Sequence, residues 1–271
     1  MWDSFTRRRS RPGPSDTSHI DSRLHAAAEA LRSSGNTIVL TGAGISTPSG
    51  IPDFRSAGSG LWQMADPMEI ASLWSFHRAP ERFYEWIRPV AQALFVAQPN
   101  PAHVALAQLE AAGLVQRIIT QNIDDLHQKA GAVNVIELHG HLRSASCLEC
   151  HTHYPAQHLW PAFLENGTIP HCPVCDAVLK PDVILFGEPP PYQSLRIAQE
   201  DALHCDVMLV VGSSLEVEPA ADLPFLARRR GAKIIVVNLV PTPIDNRAEV
   251  VIQADASLAL PRLVQLLAAP A

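Results

Sequence analysis

The chain has 271 residues, 47% of them hydrophobic and 18% charged, with 27 acidic against 21 basic side chains and a formal net charge of −6. That length fits one large domain or a large and a small one, and the apolar fraction excludes extended disorder for the bulk of the chain. The acidic balance argues against a general nucleic-acid coat protein, and no run of about 18 uninterrupted apolar residues is present to span a membrane.

Residues 1–18 hold arginines and serines but no apolar segment, so they are not a secretory signal. They read as a flexible tail, with an organelle transit peptide as the alternative. Apolar spacing at Leu24, Ala27, Ala28 and Leu31 predicts a helix over 20–32, ended by Gly35. The β-branched run 37–41 then looks like a buried parallel strand and leads into Gly42-Ala43-Gly44-Ile45-Ser46. Comparable runs recur at 115–120, 133–138, 183–186, 207–211 and 233–238, with helix-like stretches at 102–112, 219–230 and 258–268. Strands alternating with helices predict an α/β fold with a doubly wound, parallel, Rossmann-like sheet.

Two segments break that rhythm. Residues 59–98 carry Trp62, Trp74, Phe76, Phe83, Tyr84, Trp86 and Phe95 in a helical-looking stretch, and 145–180 holds four cysteines with little periodicity. The expected organisation is therefore a Rossmann-like domain of residues 19–58, 99–144 and 181–271, and a smaller domain made of a helical insertion and a zinc ribbon.

The strongest chemical signal is Cys147-Leu-Glu-Cys150, then 21 residues, then Cys172-Pro-Val-Cys175. Each pair can place two thiolates on a tight turn, and two turns complete a tetrahedron around zinc. Four sulfurs leave no open position for water, so such a zinc is structural. A redox dithiol and chance clustering are the alternatives. His151, His153 and His171 lie nearby as competing ligands but read as surface residues. The segment Cys147–Cys175 contains no Lys or Arg, which counts against phosphate contacts by this module. The fifth cysteine, Cys205, stands apart. This cysteine pattern is not a secreted disulfide framework, and a reducing compartment, most simply the cytoplasm, is expected.

The glycines after the first strand suit the close approach of backbone to a pyrophosphate. The third glycine of a dehydrogenase fingerprint is replaced by Thr47, which makes a hydride-transfer enzyme less fitting. In Asp53-Phe54-Arg55 an acid, an aromatic ring and a guanidinium on a Gly/Pro-bearing loop can order over a ligand, or form a plain surface turn. Thr120-Gln121-Asn122-Ile123-Asp124 and Glu137-Leu138-His139-Gly140-His141 each follow a predicted strand, where ligands of open α/β sheets bind. His139 is a candidate general base, although a lone histidine is more often structural. Gly212-Ser213-Ser214 and Asn238-Leu239 sit after two further strands and suit ribose, phosphate or base contacts.

Together these motifs resemble the sirtuin family, the NAD-dependent protein-lysine deacylases, and its bacterial-type members in particular, over roughly residues 20–270. The carrying segments are GAGISTPSGIPDFR (42–55), TQNIDDLHQKAG (120–131), ELHGH (137–141), the two cysteine pairs, KPDVILFGE (180–188), GSSLEVEPA (212–220) and VVNL (236–239). The resemblance implies that Gly42, Ala43, Gly44 and Ile45 line the diphosphate and nicotinamide side of NAD. Asp53, Phe54 and Arg55 then belong to the cofactor-binding loop, and Gln121, Asn122, Ile123 and Asp124 hold the nicotinamide and its ribose. Gly212, Ser213, Ser214, Asn238, Leu239 and Ala256 are expected on the adenosine half. His139 matches the family's catalytic histidine, with Asn122 beside it.

An acyl-lysine peptide is expected to add as a strand between Gly187-Glu188 and Leu215–Val217, with Val183 and Phe186 also at the substrate. The implied products are lysine, nicotinamide and O-acyl-ADP-ribose. Mono-ADP-ribosyl transfer and a non-catalytic NAD-binding role are the alternatives. A monomer with no direct nucleic-acid binding is expected. The chain departs from the family pattern at Ala254-Asp255-Ala256, where a glycine usually stands first. Ile87 and Val90 align with the Tyr and Arg of members that prefer acidic acyl groups, so acetyl is expected over succinyl.

Overall fold

Strand β1 (Thr37–Thr41) is buried along its whole length, as a strand covered by helices on both faces must be. The computed structural model of the protein describes residues 14–53 and 66–269. The chain enters through helix α1 (Pro14–Arg32), leaves β1, and passes through α2 (Pro67–Ile70), α3 (Leu73–Arg78) and α4 (Pro80–Val96). It continues through α5 (Pro101–Ala111), β2 (Arg117–Thr120), α6 (Leu126–Lys129) and β3 (Val135–Glu137). Strands β4 (Gly140–Cys147) and β5 (His153–Pro155), helix α7 (Trp160–Asn166) and β6 (Leu179–Val183) follow. The last part runs α8 (Tyr192–His204), β7 (Val207–Val211), α9 (Leu223–Arg229), β8 (Lys233–Asn238), β9 (Val250–Gln253) and α10 (Ala256–Ala268).

The main sheet has the order β3-β2-β1-β7-β8-β9 and every pairing is parallel. The first half of the chain winds outward from β1 and the second half winds outward from β7 in the opposite direction. The carboxyl ends of β1 and β7, in register from Thr37↔Val207 to Thr41↔Val211, are therefore a topological switch point.

Side-chain alternation explains the burial. Val207, Leu209 and Val211 point into one core with α1, α5 and α10, while Met208 and Val210 point into the other with α8 and α9. A third core belongs to the helical insertion and α7, where Phe83, Tyr84, Ile87, Val90 and Leu94 of α4 meet Trp160 and Phe163. The smaller sheet, β5-β4-β6, is antiparallel.

Several expectations shift. Strand β7 and strand β8 have the predicted bounds, but α1 begins at Pro14, earlier than the apolar spacing suggested. No strand of the parallel sheet forms at 183–186. The strand there is β6, which ends at Val183 and pairs antiparallel with β4 as an edge, where Pro181 lacks only an N–H facing outward. Helix α8 and strand β9 had not been predicted. Among the described residues no helix is long and apolar enough to cross a membrane.

Candidate active site

The loops leaving β1 and β7 meet at the switch point. Gly44 N donates to the Gly212 carbonyl at 2.8 Å, and Gly42 N to that of Val211 at 3.1 Å. Gly212 has φ +61°, and a Cβ on it would lie 2.3 Å from the Ile45 nitrogen. The glycines thus let two strand-end loops pack backbone to backbone, which leaves a cradle of main chain lining a cavity. The Asn100 side chain, at the N-cap of α5, holds this turn from behind by donating to the Ile45 carbonyl at 2.7 Å and to Ser49 Oγ at 2.9 Å.

Beside the cradle lies a buried polar network. Ser46 Oγ donates to Asp124 Oδ2 at 2.6 Å and accepts from Asn122 Nδ2 at 3.1 Å. Asn122 Nδ2 also donates to the Gly42 carbonyl at 3.1 Å, so both its amide hydrogens are used and Oδ1 is left to face a ligand. Asp124 Oδ1 accepts from the Leu126 amide at 2.9 Å at the start of α6. His103 Nε2 reaches Ser46 Oγ at 3.4 Å, and its ring meets that of His127 edge to face at 5.0 Å. His127 Nε2 is 2.9 Å from Thr41 Oγ1, which donates to Thr120 Oγ1. Burial pushes His103 down to about 4 and His127 down to about 3, so both rings are neutral at pH 7.

His139 follows β3 and stands in the cavity wall. Its Nδ1 lies 2.9 Å from the Gln121 carbonyl, which can only accept, so Nδ1 carries the hydrogen and Nε2 is the basic nitrogen. Burial lowers its pKa below the ordinary 6.5, against a smaller upward pull from that carbonyl. Gln121 Nε2 donates to Ser213 Oγ at 2.9 Å, tying the loop after β2 to the loop after β7.

A cavity of about 1100 Å³ joins these groups. Its wall includes Gly42, Ala43, Gly44, Asp53, Gln121, Asn122, Ile123, Asp124, His139, Gly212, Ser213, Ser214, Asn238, Leu239 and Ala256. It also includes Val183, Phe186, Gly187, Glu188 and Val217 of the expected peptide cleft. Ile45 and Leu215 are not in the wall: Ile45 is fully buried under the glycine turn, and Leu215, at φ +55°, turns its side chain into the core with α8 and α9. Phe54 and Arg55 lie outside the described residues.

Beyond His139 the wall is apolar, formed by Ile51, Phe83, Trp86, Ile87, Val90 and Leu94, and no Lys or Arg lines it among the described residues. Ile87 and Val90 are where the resemblance placed the acyl channel, whereas Ser46, Ile51, Phe83, Trp86 and Leu94 carry no site assignment from sequence. Asn100 and His103 were missed too, although Asn100-Pro101-x-His103 is a legible helix start.

The four cysteines converge. Their sulfurs lie within 4.8 Å of one another, with Cys147–Cys175 at 3.4 Å and Cys150–Cys172 at 3.5 Å. A tetrahedron with 2.3 Å zinc–sulfur bonds has edges of about 3.8 Å, so the group fits zinc. Each pair closes a matching turn: His151 N donates to the Cys147 carbonyl and Asp176 N to the Cys172 carbonyl, with His151 and Asp176 both at positive φ. His151, His153 and His171 are not part of the cluster.

A Sir2 family sequence model matches residues 42–219. NAD-dependent protein deacylase 2 of Archaeoglobus fulgidus is 47% identical over 91% of this chain and 96% of its own length. A solved structure described as the structural basis for the mechanism and regulation of Sir2 enzymes superposes with a TM-score of 0.86 at 46% identity, covering 91% of this chain and 98% of its own. The structure of Sir2Af2 bound to a myristoylated histone peptide matches with a TM-score of 0.79 at 41% identity, over 91% of this chain and 97% of that one.

Proposed function

The chain belongs to the Sir2 family, and we propose that the cavity at its switch point is the active site of an NAD-dependent protein-lysine deacylase that transfers the acyl group to ADP-ribose. Bound NAD supplies a nicotinamide leaving group and a ribose carbon open to attack by the acyl oxygen. The observation that carries the reading is His139 in the wall of that cavity, its Nδ1 held by the Gln121 carbonyl beside Asn122 and Asp124. His139 takes a proton from a ribose hydroxyl at Nε2. Asn122, with both amide hydrogens engaged, offers Oδ1, and Asp124 keeps a free lone pair on each oxygen for the carboxamide.

The glycine cradle holds the diphosphate, while Ser213, Ser214, Asn238 and Leu239 hold the adenosine half. Gly187-Glu188 and Leu215–Val217 flank the peptide, whose main-chain hydrogen bonds make sequence preference loose. Zinc on Cys147, Cys150, Cys172 and Cys175 holds the smaller domain together and takes no part in the reaction. Neutral acyl groups are preferred, because Ile87 and Val90 both face the apolar part of the cavity. The protein acts as a monomer in the cytoplasm, where clustered thiols stay reduced for metal, and binds no nucleic acid.

The test is nicotinamide release from NAD with and without an acetyl-lysine peptide, in the wild type and in His139→Ala. Peptide-dependent release with O-acetyl-ADP-ribose, lost by a factor of about 10²–10⁴ in the variant, is expected. Release accompanied by ADP-ribose on protein and no deacylated peptide would instead make the chain a mono-ADP-ribosyltransferase.

A further inference from the structure

Lys180 is 5% exposed, in β6, and does not line the large cavity. Its ammonium has three hydrogens and three partners: the Pro181 carbonyl at 3.0 Å, the Val183 carbonyl at 2.9 Å and Glu188 Oε2 at 3.1 Å. Glu188 Oε2 is folded back to accept from the Leu185 amide at 2.8 Å, and Glu188 N donates to the Leu185 carbonyl at 2.9 Å. The same segment is tied sideways at Phe186. Its N–H donates to the Ala71 carbonyl at 2.8 Å and its carbonyl accepts from Leu73 N at 2.9 Å. Between these ties stands Gly187, exposed and at φ +87°, on the edge expected to meet the peptide.

A buried ion pair adds little net stability, because desolvation offsets most of the attraction; what it can supply is one backbone shape instead of several. Here that shape belongs to the stretch whose main chain has to match a peptide's. Glu188 is 16% exposed, so without its cation the carboxylate can swing to water and free the segment without unfolding the domain.

We propose that Lys180 is a positioning residue for the peptide substrate: it clamps Leu185–Glu188 through Glu188 and so sets peptide affinity without touching peptide or NAD. The proposal rests on the deacylase reading of the cavity. Preorganised backbone improves binding by removing the ordering penalty, and the effect belongs to the binding step alone.

Lys180→Met tests it, with Lys180→Arg as the conservative partner and thermal unfolding to confirm the fold. In the Met variant the KM for an acetyl-lysine peptide should rise roughly tenfold, with kcat at saturating peptide and the KM for NAD unchanged. The Arg variant should recover part of the peptide KM. An unchanged peptide KM in a folded Met variant overturns the proposal, and so does an equal fall in NAD affinity and kcat, which would mean a general structural role. If Lys180→Met does not fold, Lys180→Gln serves, since it keeps a donor for the Pro181 and Val183 carbonyls but removes the charge paired with Glu188: a several-fold rise in peptide KM alone supports the clamp, and no rise overturns it. Fluorescence anisotropy of a labelled acetyl-lysine peptide without NAD reads affinity without turnover. Wild type that binds but does not turn over would therefore sink the enzymatic reading while the variants still decide the clamp, and wild type that does not bind the peptide overturns both.

Discussion

In the proposed reaction His139 takes a proton from a sugar hydroxyl and so must be neutral when the substrate arrives, and burial keeps it neutral to lower pH than a free imidazole. The sign is fixed: a lowered pKa means the active base form persists below pH 6.5, so the acid limb of kcat/KM should have its midpoint below that value. Measuring the profile between pH 5 and 8 checks this, and a midpoint above 7 would contradict it. Fold integrity must be followed in parallel. His103 and His127 are held neutral down to about 4 and about 3, so below pH 6.5 the unfolded chain takes up protons that the folded one refuses, and stability falls with pH. At this scale the sequence revealed the residues that stand at strand ends. His139, Asn122 and Asp124 could be found that way. Asn100 and His103 could not, because they act on Ile45 and Ser46 from about 55 residues away, through a packing that only the fold brings about.

Elements carry the next level of control. Strands β7 and β8 were legible because a parallel strand buried on both faces is a continuous apolar run. Strand β9 is four residues long and α8 carries mixed polarity, so neither announces itself. Residues 183–186 misled because an apolar run bounded by turns does not say which sheet it joins; Pro181 and the bulged pairing with β4 settled that. The two cysteine turns were fully legible in spacing. They join β4 and β5 at one end and precede β6 at the other, so the metal ties together the strands that lead into the Leu185–Glu188 segment. Metal binding at such a site is coupled to folding. Treatment with a thiol-reactive mercurial should therefore release one zinc per chain and abolish peptide-dependent nicotinamide release. Zinc in less than half-stoichiometric amount, or full activity after its loss, would contradict this role.

At the scale of the whole molecule, the winding of the sheet sets where a dinucleotide binds, and the helical insertion sets what lies beyond it. Phe83, Trp86, Ile87, Val90 and Leu94 recur at helical spacing along α4 and turn one stripe toward the cavity. From Phe83 to Leu94 there are eleven rises of about 1.5 Å, which make that stripe about 16 Å long. An acetyl group covers only a small part of it. A longer neutral chain removes more apolar surface from water, at roughly 0.8 kcal/mol for each buried methylene, or about fourfold in affinity. A carboxylate on the chain end gains nothing from this wall, since no Lys or Arg lines it among the described residues, and burying that charge unpaired is costly. A peptide series read by KM decides the matter. Octanoyl-lysine should bind more tightly than acetyl-lysine, and succinyl-lysine should be at least about tenfold poorer than butyryl-lysine of similar length. Equal KM values across the neutral series would show that the stripe is closed to the acyl chain. A succinyl preference would require a cation at the chain end that the described wall does not contain.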